Sequence, residues 1–190
     1  MSNIGDIMKT TIKKVITIII LLLVCKTSLV AQEDQKNIFL GINPSVTVEP
    51  FYEKGELDFN ILPLVYQKPL TKRMDIRITS ILNLGIRNSK NEISHFGFEM
   101  GLPVFFKKKE IKNEYSQGFF LAPILSHTRN RLEKHRNLGG WIETGYNLLF
   151  DNNFAMTFGV QLGGTHFNYD NKQNKWGSHF GIKIIIGKWL

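Results

Sequence analysis

Hydrophobic and polar residues alternate one by one along most of residues 37–190. The alternation is clearest from Met74 to Arg87, where mainly apolar side chains at even positions alternate with Asp75, Arg77, Thr79 and Asn83 at odd positions. Successive side chains of a β-strand point to opposite faces of the sheet. This stretch therefore predicts a strand with one apolar face and one largely polar face.

The same period predicts eight strands and no sustained helix. They cover residues 37–48, 57–66, 74–87, 96–106, 118–128, 140–150, 154–163 and 179–187. The connections form one set at 49–56, 88–92, 129–139 and 167–177, and a second set at 67–73, 107–117 and 151–153. The second set is the shorter one except at 107–117. We therefore expect an all-β fold, an eight-stranded antiparallel up-and-down β-barrel. The pattern leaves open which face of 118–128 is apolar.

The two faces of the strands indicate which side of the barrel is apolar. One face carries large aliphatic and aromatic residues, whereas the other mixes glycine with polar and charged residues. Eight strands enclose a space only wide enough for side chains, which small residues and opposite charges fill well. We expect the charged residues inside and the apolar face towards lipid, as in a transmembrane barrel. The expected interior polar network comprises Asp75, Arg77, Glu99, Glu143 and Lys183.

Aromatic residues concentrate near the predicted strand ends. Trp and Tyr favour the boundary between hydrocarbon and water, so these residues are interpreted as girdles of a membrane barrel. The set comprises Tyr66, Phe106, Trp141, Phe150, Phe154, Phe167, Tyr169, Trp176 and Trp189.

Three segments resemble those of small outer-membrane proteins. They are GFFLAPILSHTRN at 118–130, FGVQLGGTHFNY at 158–169 and HFGIKIIIGKWL at 179–190. Over about residues 37–190 the chain resembles eight-stranded outer-membrane β-barrels of the OmpA/OmpX-like kind. The resemblance implies a Gram-negative outer membrane location, contact with the barrel-assembly machinery during biogenesis and a monomeric state. It implies architecture and no particular activity.

The first 31 residues have the pattern of a cleavable signal peptide. Lys9, Lys13 and Lys14 precede an apolar run at 15–24, and Ala31 is a small residue at the expected cleavage position. We expect export by the general secretory route, from a start at Met1 or Met8, and a barrel domain at 32–190. The single cysteine, Cys25, lies in the leader, so the mature domain has no disulfide.

The formal net charge of +8 is spread along the chain. Scattered basic residues in an exported chain argue against nucleic-acid binding. Arg129, Arg131, Lys134 and Arg136 come together in the connection predicted at 129–139. These residues are candidates for contacts with the phosphates of lipopolysaccharide, although a solvated loop explains the same charges.

Candidate chemistry is sparse. Ser94 and His95, Ser126 and His127, and Ser178 and His179 are adjacent pairs, which regular strands place on opposite faces. A cross-strand pair of Ser126 with Glu143 stays open. The histidines lack ligand spacing, so no metal or cofactor is expected. The expected function is a non-catalytic structural or surface-interaction role through the outer loops. The alternatives are a lipid A-modifying enzyme of acyl transfer or deacylation, and a soluble periplasmic lipid-binding barrel.

Overall fold

A computed structural model describes residues 37–47, 53–88, 90–107 and 115–190. The signal peptide predicted at 1–31 and its cleavage site lie outside this part of the chain. Among the described residues the regular structure is entirely β, and no candidate for a membrane-spanning helix is found there. The strands are β1 (Phe39–Ile42), β2 (Val46–Thr47), β3 (Leu57–Asn60), β4 (Leu64–Pro69), β5 (Asp75–Ile86), β6 (Glu92–Gly101), β7 (Val104–Phe105), β8 (Gly118–Asn130), β9 (His135–Leu149), β10 (Phe154–Tyr169) and β11 (Lys175–Trp189).

The strands close into one antiparallel barrel. Neighbouring strands around the barrel pair in the order β5, β4, β1, β11, β10, β9, β8 and β6. The pairing of β6 with β5 closes the ring. The pieces β1 and β2 correspond to the first predicted strand, β3 and β4 to the second, and β6 and β7 to the fourth. When each of these pairs is counted as one interrupted strand, the barrel has eight strands, which confirms the predicted all-β, eight-stranded antiparallel fold.

Each of the three interrupted barrel strands contains a proline at its interruption. Pro44 separates β1 from β2, Pro63 separates β3 from β4, and Pro103 separates β6 from β7. Proline lacks the backbone N–H that a ladder needs, so it is tolerated at edges and interruptions of a sheet. The alternation of side chains continues across Pro44 and Pro103, which is why the sequence predicts one strand at each of these places where the structure has two. At Pro63 the alternation changes phase, because the inward residues are even-numbered in β3 and odd-numbered in β4.

Two of the predicted connections are much shorter than expected. The β8–β9 ladder continues to Asn130 opposite His135, and the β10–β11 ladder continues to Phe167 opposite Lys175. The turns are therefore residues 131–134 and 170–174 instead of 129–139 and 167–177. Polar residues at the ends of these strands resemble loop composition, although their backbone groups remain in the ladder. This end of the barrel is called the upper end below.

The apolar face points outward and the polar face points inward. On β6, for example, Phe98 is 51% exposed and Glu99 is 7% exposed, and on β11 Ile184 is 38% exposed and Lys183 is 3% exposed. In β8, whose faces the sequence left undecided, Phe119 and every second residue after it are exposed. Its inward residues include apolar ones, namely Phe120, Ala122 and Ile124.

Four aromatic residues assigned to boundary girdles point inward. Trp141 is 9% exposed and Trp189 is 1% exposed, while the rings of Phe167 and Tyr169 contact the buried ring of His135. Their positions share the inward face with Glu143 on β9, Gln161 on β10 and Lys183 on β11. Proximity to a strand end does not determine which face a side chain occupies, so this part of the prediction is wrong.

The lower end, where residues 70–73 and 151–153 form turns, is filled by apolar side chains. Its cluster consists of Phe39, Val65, Ala155, Ile185 and Trp189. Tyr115, from the connection between β7 and β8, stacks on Trp189 with ring centroids 5.4 Å apart. The adjacent Ser116 is 1% exposed. The connection predicted at 107–117 thus contributes residues that fill the lower interior.

Candidate functional site

Two ion pairs occupy the middle of the barrel. Arg77 on β5 donates through Nη2 to Glu143 Oε1 on β9 at 2.6 Å, across the interior. Lys183 on β11 pairs with Glu99 on β6, and its Nζ lies 3.5 Å from Glu143 Oε2. All four side chains are nearly or fully buried. Two cations and two anions balance, which compensates the cost of removing each charge from water.

Polar and aromatic groups extend this cluster upward. Gln161 Nε2 donates to Glu143 Oε2 at 2.9 Å, and Gln161 Oε1 lies 3.2 Å from His179 Nε2. The His179 ring stacks on Trp141 with centroids 4.0 Å apart and planes 14° apart. Between them on β10 lies Gly163, where a Cβ would meet Trp141 Cβ at 2.4 Å. A glycine is therefore needed for the two rings to meet across the middle strand.

Asp75 lies apart from the four central charges, although the sequence grouped all five. Its Oδ2 accepts hydrogen bonds from Gln67 Nε2 at 2.7 Å and from the Ser116 hydroxyl. The backbone carbonyl of Ser116 accepts a bond from Asn147 Nδ2. Asp75 therefore helps to hold the residue that fills the lower end.

A third polar group lies near the upper end. His95 Nδ1 is 2.7 Å from Asp58 Oδ2 and 3.3 Å from Ser94 Oγ, while Arg87 Nη2 donates to Asp58 Oδ1 at 2.8 Å. Ser94 and His95 are both buried because the β5–β6 register shifts between Asn83 and Leu84. A bulge places two consecutive residues opposite one, so the expectation that they occupy opposite faces is wrong here.

This serine, histidine and aspartate do not have the geometry of a catalytic triad. In a triad the carboxylate and the serine occupy different nitrogens of the imidazole ring. Here the same nitrogen, Nδ1 of His95, faces both Asp58 and Ser94. Sequence reasoning missed Asp58, since the inward face of 57–66 was not clear. It placed Ser94 and His95 on opposite faces because the bulge carries no strong sequence signal.

His135 is a further buried group at the upper end. It is 1% exposed, bonds to Asn137 Oδ1 through Nδ1, and lies with its ring centroid 6.1 Å from that of His95. Burial lowers the pKa of His135 below its ordinary value, and the bond to Asn137 opposes this effect. The outward neighbour Arg136 is exposed, so this level lies beyond the apolar band.

A cavity of about 510 Å³ occupies the upper half of the interior, above the central ion pairs. Its wall combines amide and hydroxyl side chains with Ile81, Trp141, Phe167 and Ile182. Several buried polar atoms of this wall have no hydrogen-bond partner in the described structure: Asn43 Oδ1, Thr79 Oγ1, Asn83 Oδ1 and Trp141 Nε1. Since Glu99 and Lys183 neutralise each other, the wall is polar without a large net charge.

The candidate anion-contact residues are not all in a loop. Arg131 and Lys134 lie in the β8–β9 turn, whereas Arg129 lies in β8 and Arg136 in β9. Arg129 and Arg136 pair directly across the ladder and are both exposed on the outer face. The expectation of a common loop is therefore wrong for these two residues, because the ladder extends to His135.

The other candidate pair is not brought together. Glu143 is opposite Ala122 on β8, and Ser126 lies four residues further along that strand, a separation of about 13 Å. Ser126 is instead opposite Glu99. Among the described residues no group of three or more His, Cys, Asp or Glu side chains has the arrangement of a metal site.

Comparison of the chain with protein-family models, curated proteins and solved structures finds no match.

Proposed function

We propose that this chain is a transmembrane β-barrel of the bacterial outer membrane with a non-catalytic, structural or surface-interaction role. The observation that carries the proposal is the inverted distribution of side chains. Large apolar residues such as Phe98, Leu162 and Ile182 are exposed on the outer wall, while Arg77 and Glu143 are buried inside. A hydrocarbon solvent favours this arrangement, and water favours its opposite.

The size of the apolar surface supports a bilayer as its solvent. On β10 the outward apolar residues run from Phe154 to Leu162, eight steps of about 3.3 Å or roughly 26 Å of strand. A strand tilt of roughly 40° reduces this to about 20 Å of height, close to the band of roughly 25 Å in outer-membrane barrels. Soluble monomers rarely expose contiguous apolar patches larger than a few hundred Å².

Exposed cations border the apolar surface at both ends. Lys68 and Lys188 point outward at the lower end, and Arg129 and Arg136 do so at the upper end. Long cationic side chains can keep their charge at the head-group level while their stems lie on apolar surface. The apolar outer wall also argues against a soluble periplasmic lipid carrier, because the outer wall of such a carrier would be polar.

Cysteine labelling in lipid nanodiscs tests whether the outer wall meets hydrocarbon. Cys25 is the sole cysteine and lies in the predicted leader, so single cysteines are introduced into residues 32–190 as F158C and, in an exposed turn, D151C. We expect a membrane-impermeant maleimide to label D151C and not F158C, because Phe158 is on the outer face of the apolar band. Equal labelling of the two would contradict the proposal, as would release of the native protein from cells without detergent.

The surface role is tested with the two exposed arginines. If Arg129 and Arg136 contact phosphate groups, lipopolysaccharide in the bilayer should stabilise the wild-type barrel more than R129Q/R136Q. The matched control is K68Q/K188Q, which removes two exposed cations from the opposite end. An identical response of the two double variants would refute the assignment of the upper end to lipopolysaccharide.

A further inference from the structure

Among the described residues, the ladder beside β11 is incomplete. β1 pairs with β11 from Ile42 opposite Ile186 down to Phe39 opposite Trp189. Above Ile186, β11 retains β10 as its partner, and the described residues form no ladder on its other side. There the chain turns at residues 43–45 into β2, whose ladder among the described residues is with β3 alone. We call the space between residues 178–183 and residues 43–46 the seam.

The cavity extends to the seam. Along β9 and β10 only residues of the inward face line it, such as Trp141 and Gln161. On β11, by contrast, six consecutive residues from Ser178 to Lys183 line it, although Phe180 and Ile182 belong to the outward face. A cavity lined by both faces of one strand reaches the edge of that strand. Val46, 60% exposed, lines it from the opposite side of the seam.

The seam lies near the upper boundary of the apolar surface. Phe180 and Ile182, which are 69% and 72% exposed, pair with Leu162 and Val160 at the upper end of the apolar run on β10. Above them the outward positions are Gly164 and Ser178, which are small or polar. An opening here would join hydrocarbon on its outer side to a polar chamber on its inner side.

The chamber has buried groups suited to a polar ligand. Thr79 is 2% exposed, Asn43 and Asn83 are each 7% exposed, and a side-chain oxygen of each has no hydrogen-bond partner in the described structure. Leaving such groups unsatisfied costs free energy, and a ligand hydroxyl can satisfy them. The volume of about 510 Å³ is within the range of small-molecule sites, roughly 300–1,000 Å³.

We infer that the cavity and the seam together bind one amphiphile taken from the membrane. Its head group is neutral and bears hydroxyls that bond with Thr79, Asn43 and Asn83, and its hydrocarbon chain passes through the seam between Ile182 and Val46. A neutral head group is favoured because Lys183 and Glu99 already compensate each other. This inference rests on the proposed membrane location and adds a ligand to it.

The test uses quenching of Trp141 by a brominated amphiphile, since bromine quenches indole fluorescence at short range. The probe is a monoacylglycerol with a dibrominated chain, added to vesicles of unbrominated phosphatidylcholine. Variant W176F retains Trp141 and Trp189, and W141F/W176F retains Trp189 alone, so their difference reports Trp141. Adding F158W to the second variant gives an outward-facing reference.

We expect quenching of Trp141 that saturates at low probe content, together with proportional quenching of the reference and little quenching of Trp189. Absent quenching of Trp141 while the F158W reference is quenched would overturn the inference and leave the membrane location intact. Absent quenching of the reference would overturn both.

The head-group assignment is tested with an isosteric substitution. T79V, made in the W176F background, removes the Thr79 hydroxyl while keeping the side-chain shape. The loss of one hydrogen bond should weaken the half-saturation of Trp141 quenching roughly two- to tenfold. The matched control is T157V, which is buried in the lower half and bonds to Asn147 outside the cavity. Equal half-saturation in T79V and T157V would refute the placement of the head group.

Discussion

Replacing Glu143 with glutamine isolates the charge of the central cluster. The Glu143 carboxylate accepts from Arg77 Nη2 at 2.6 Å and from Gln161 Nε2 at 2.9 Å, and it lies 3.5 Å from Lys183 Nζ. Glutamine keeps the shape and one acceptor but adds an N–H group among donors. In E143Q, Lys183 retains Glu99 as a partner, whereas Arg77 loses its ion-pair partner while remaining 2% exposed.

The burial of Arg77 sets the expected magnitude. Removing one member of a buried ion pair leaves an uncompensated charge and typically costs about 3–5 kcal/mol in the free energy of unfolding. The exposed pair of Lys90 with Glu92, 2.8 Å apart, provides the matched control, because E92Q makes the same chemical change in water. Exposed pairs contribute about 1 kcal/mol or less. We therefore expect E143Q to cost at least about 2 kcal/mol more than E92Q.

A double variant separates the lost interaction from the orphaned charge. In R77M/E143Q both charges of the pair are absent, and Lys183 with Glu99 remains neutral as a pair. Its destabilisation should be well below the sum of the two single variants, since residues in contact couple non-additively. Free energies of unfolding follow from urea titration of the barrel refolded in vesicles, monitored by tryptophan fluorescence.

Two outcomes would refute this reasoning. One is an E143Q destabilisation no larger than that of E92Q, and the other is strict additivity in R77M/E143Q.

Two other predictions concern the upper half of the barrel. G163A should lower the free energy of unfolding by about 1–3 kcal/mol and alter the near-ultraviolet circular dichroism, because its Cβ would meet backbone and side-chain atoms at about 2.4–2.5 Å. The outward control G164A should change neither quantity, since its nearest contact is 3.5 Å away. Equal effects of the two variants would contradict this prediction. NMR titration of His135 should give a pKa below 6.5, lowered further in N137A, which removes a bond favouring the charged ring. The folded barrel therefore takes up this proton less readily than the unfolded chain, and the contribution of His135 to stability falls as the pH drops below 6.5; a midpoint at or above 6.5 would argue against burial.

Local alternation predicts much of the barrel because it reports the orientation of each residue along its strand. The faces of β5, β6, β10 and β11 follow directly from it, with Arg77, Glu99 and Lys183 buried opposite exposed apolar residues. Alternation is weak in β8, where Phe120 and Ile124 fill the interior with apolar groups. There, apolar residues occur on both faces, so the sequence does not distinguish them.

Contacts across the barrel required the tertiary structure. Arg77 meets Glu143 from 66 residues away, whereas Asp75, two residues from Arg77 on the same face, bonds to Gln67 and Ser116 nearer the lower end. A period of two tells which side of the wall a residue occupies but carries no information on its height relative to distant strands. That height depends on the register of every ladder between them.

The sequence by itself therefore determined an all-β chain, the number of barrel strands and whether most residues face outward or into the barrel. The tertiary structure alone decided which buried charges meet, how the bulge brings Ser94 beside His95, and where the ladder next to β11 ends. The strand pattern arises from local alternation of residues between an apolar outward face and a polar inward face. Closure of the barrel, strand register and cavities arise from packing among segments far apart in the chain.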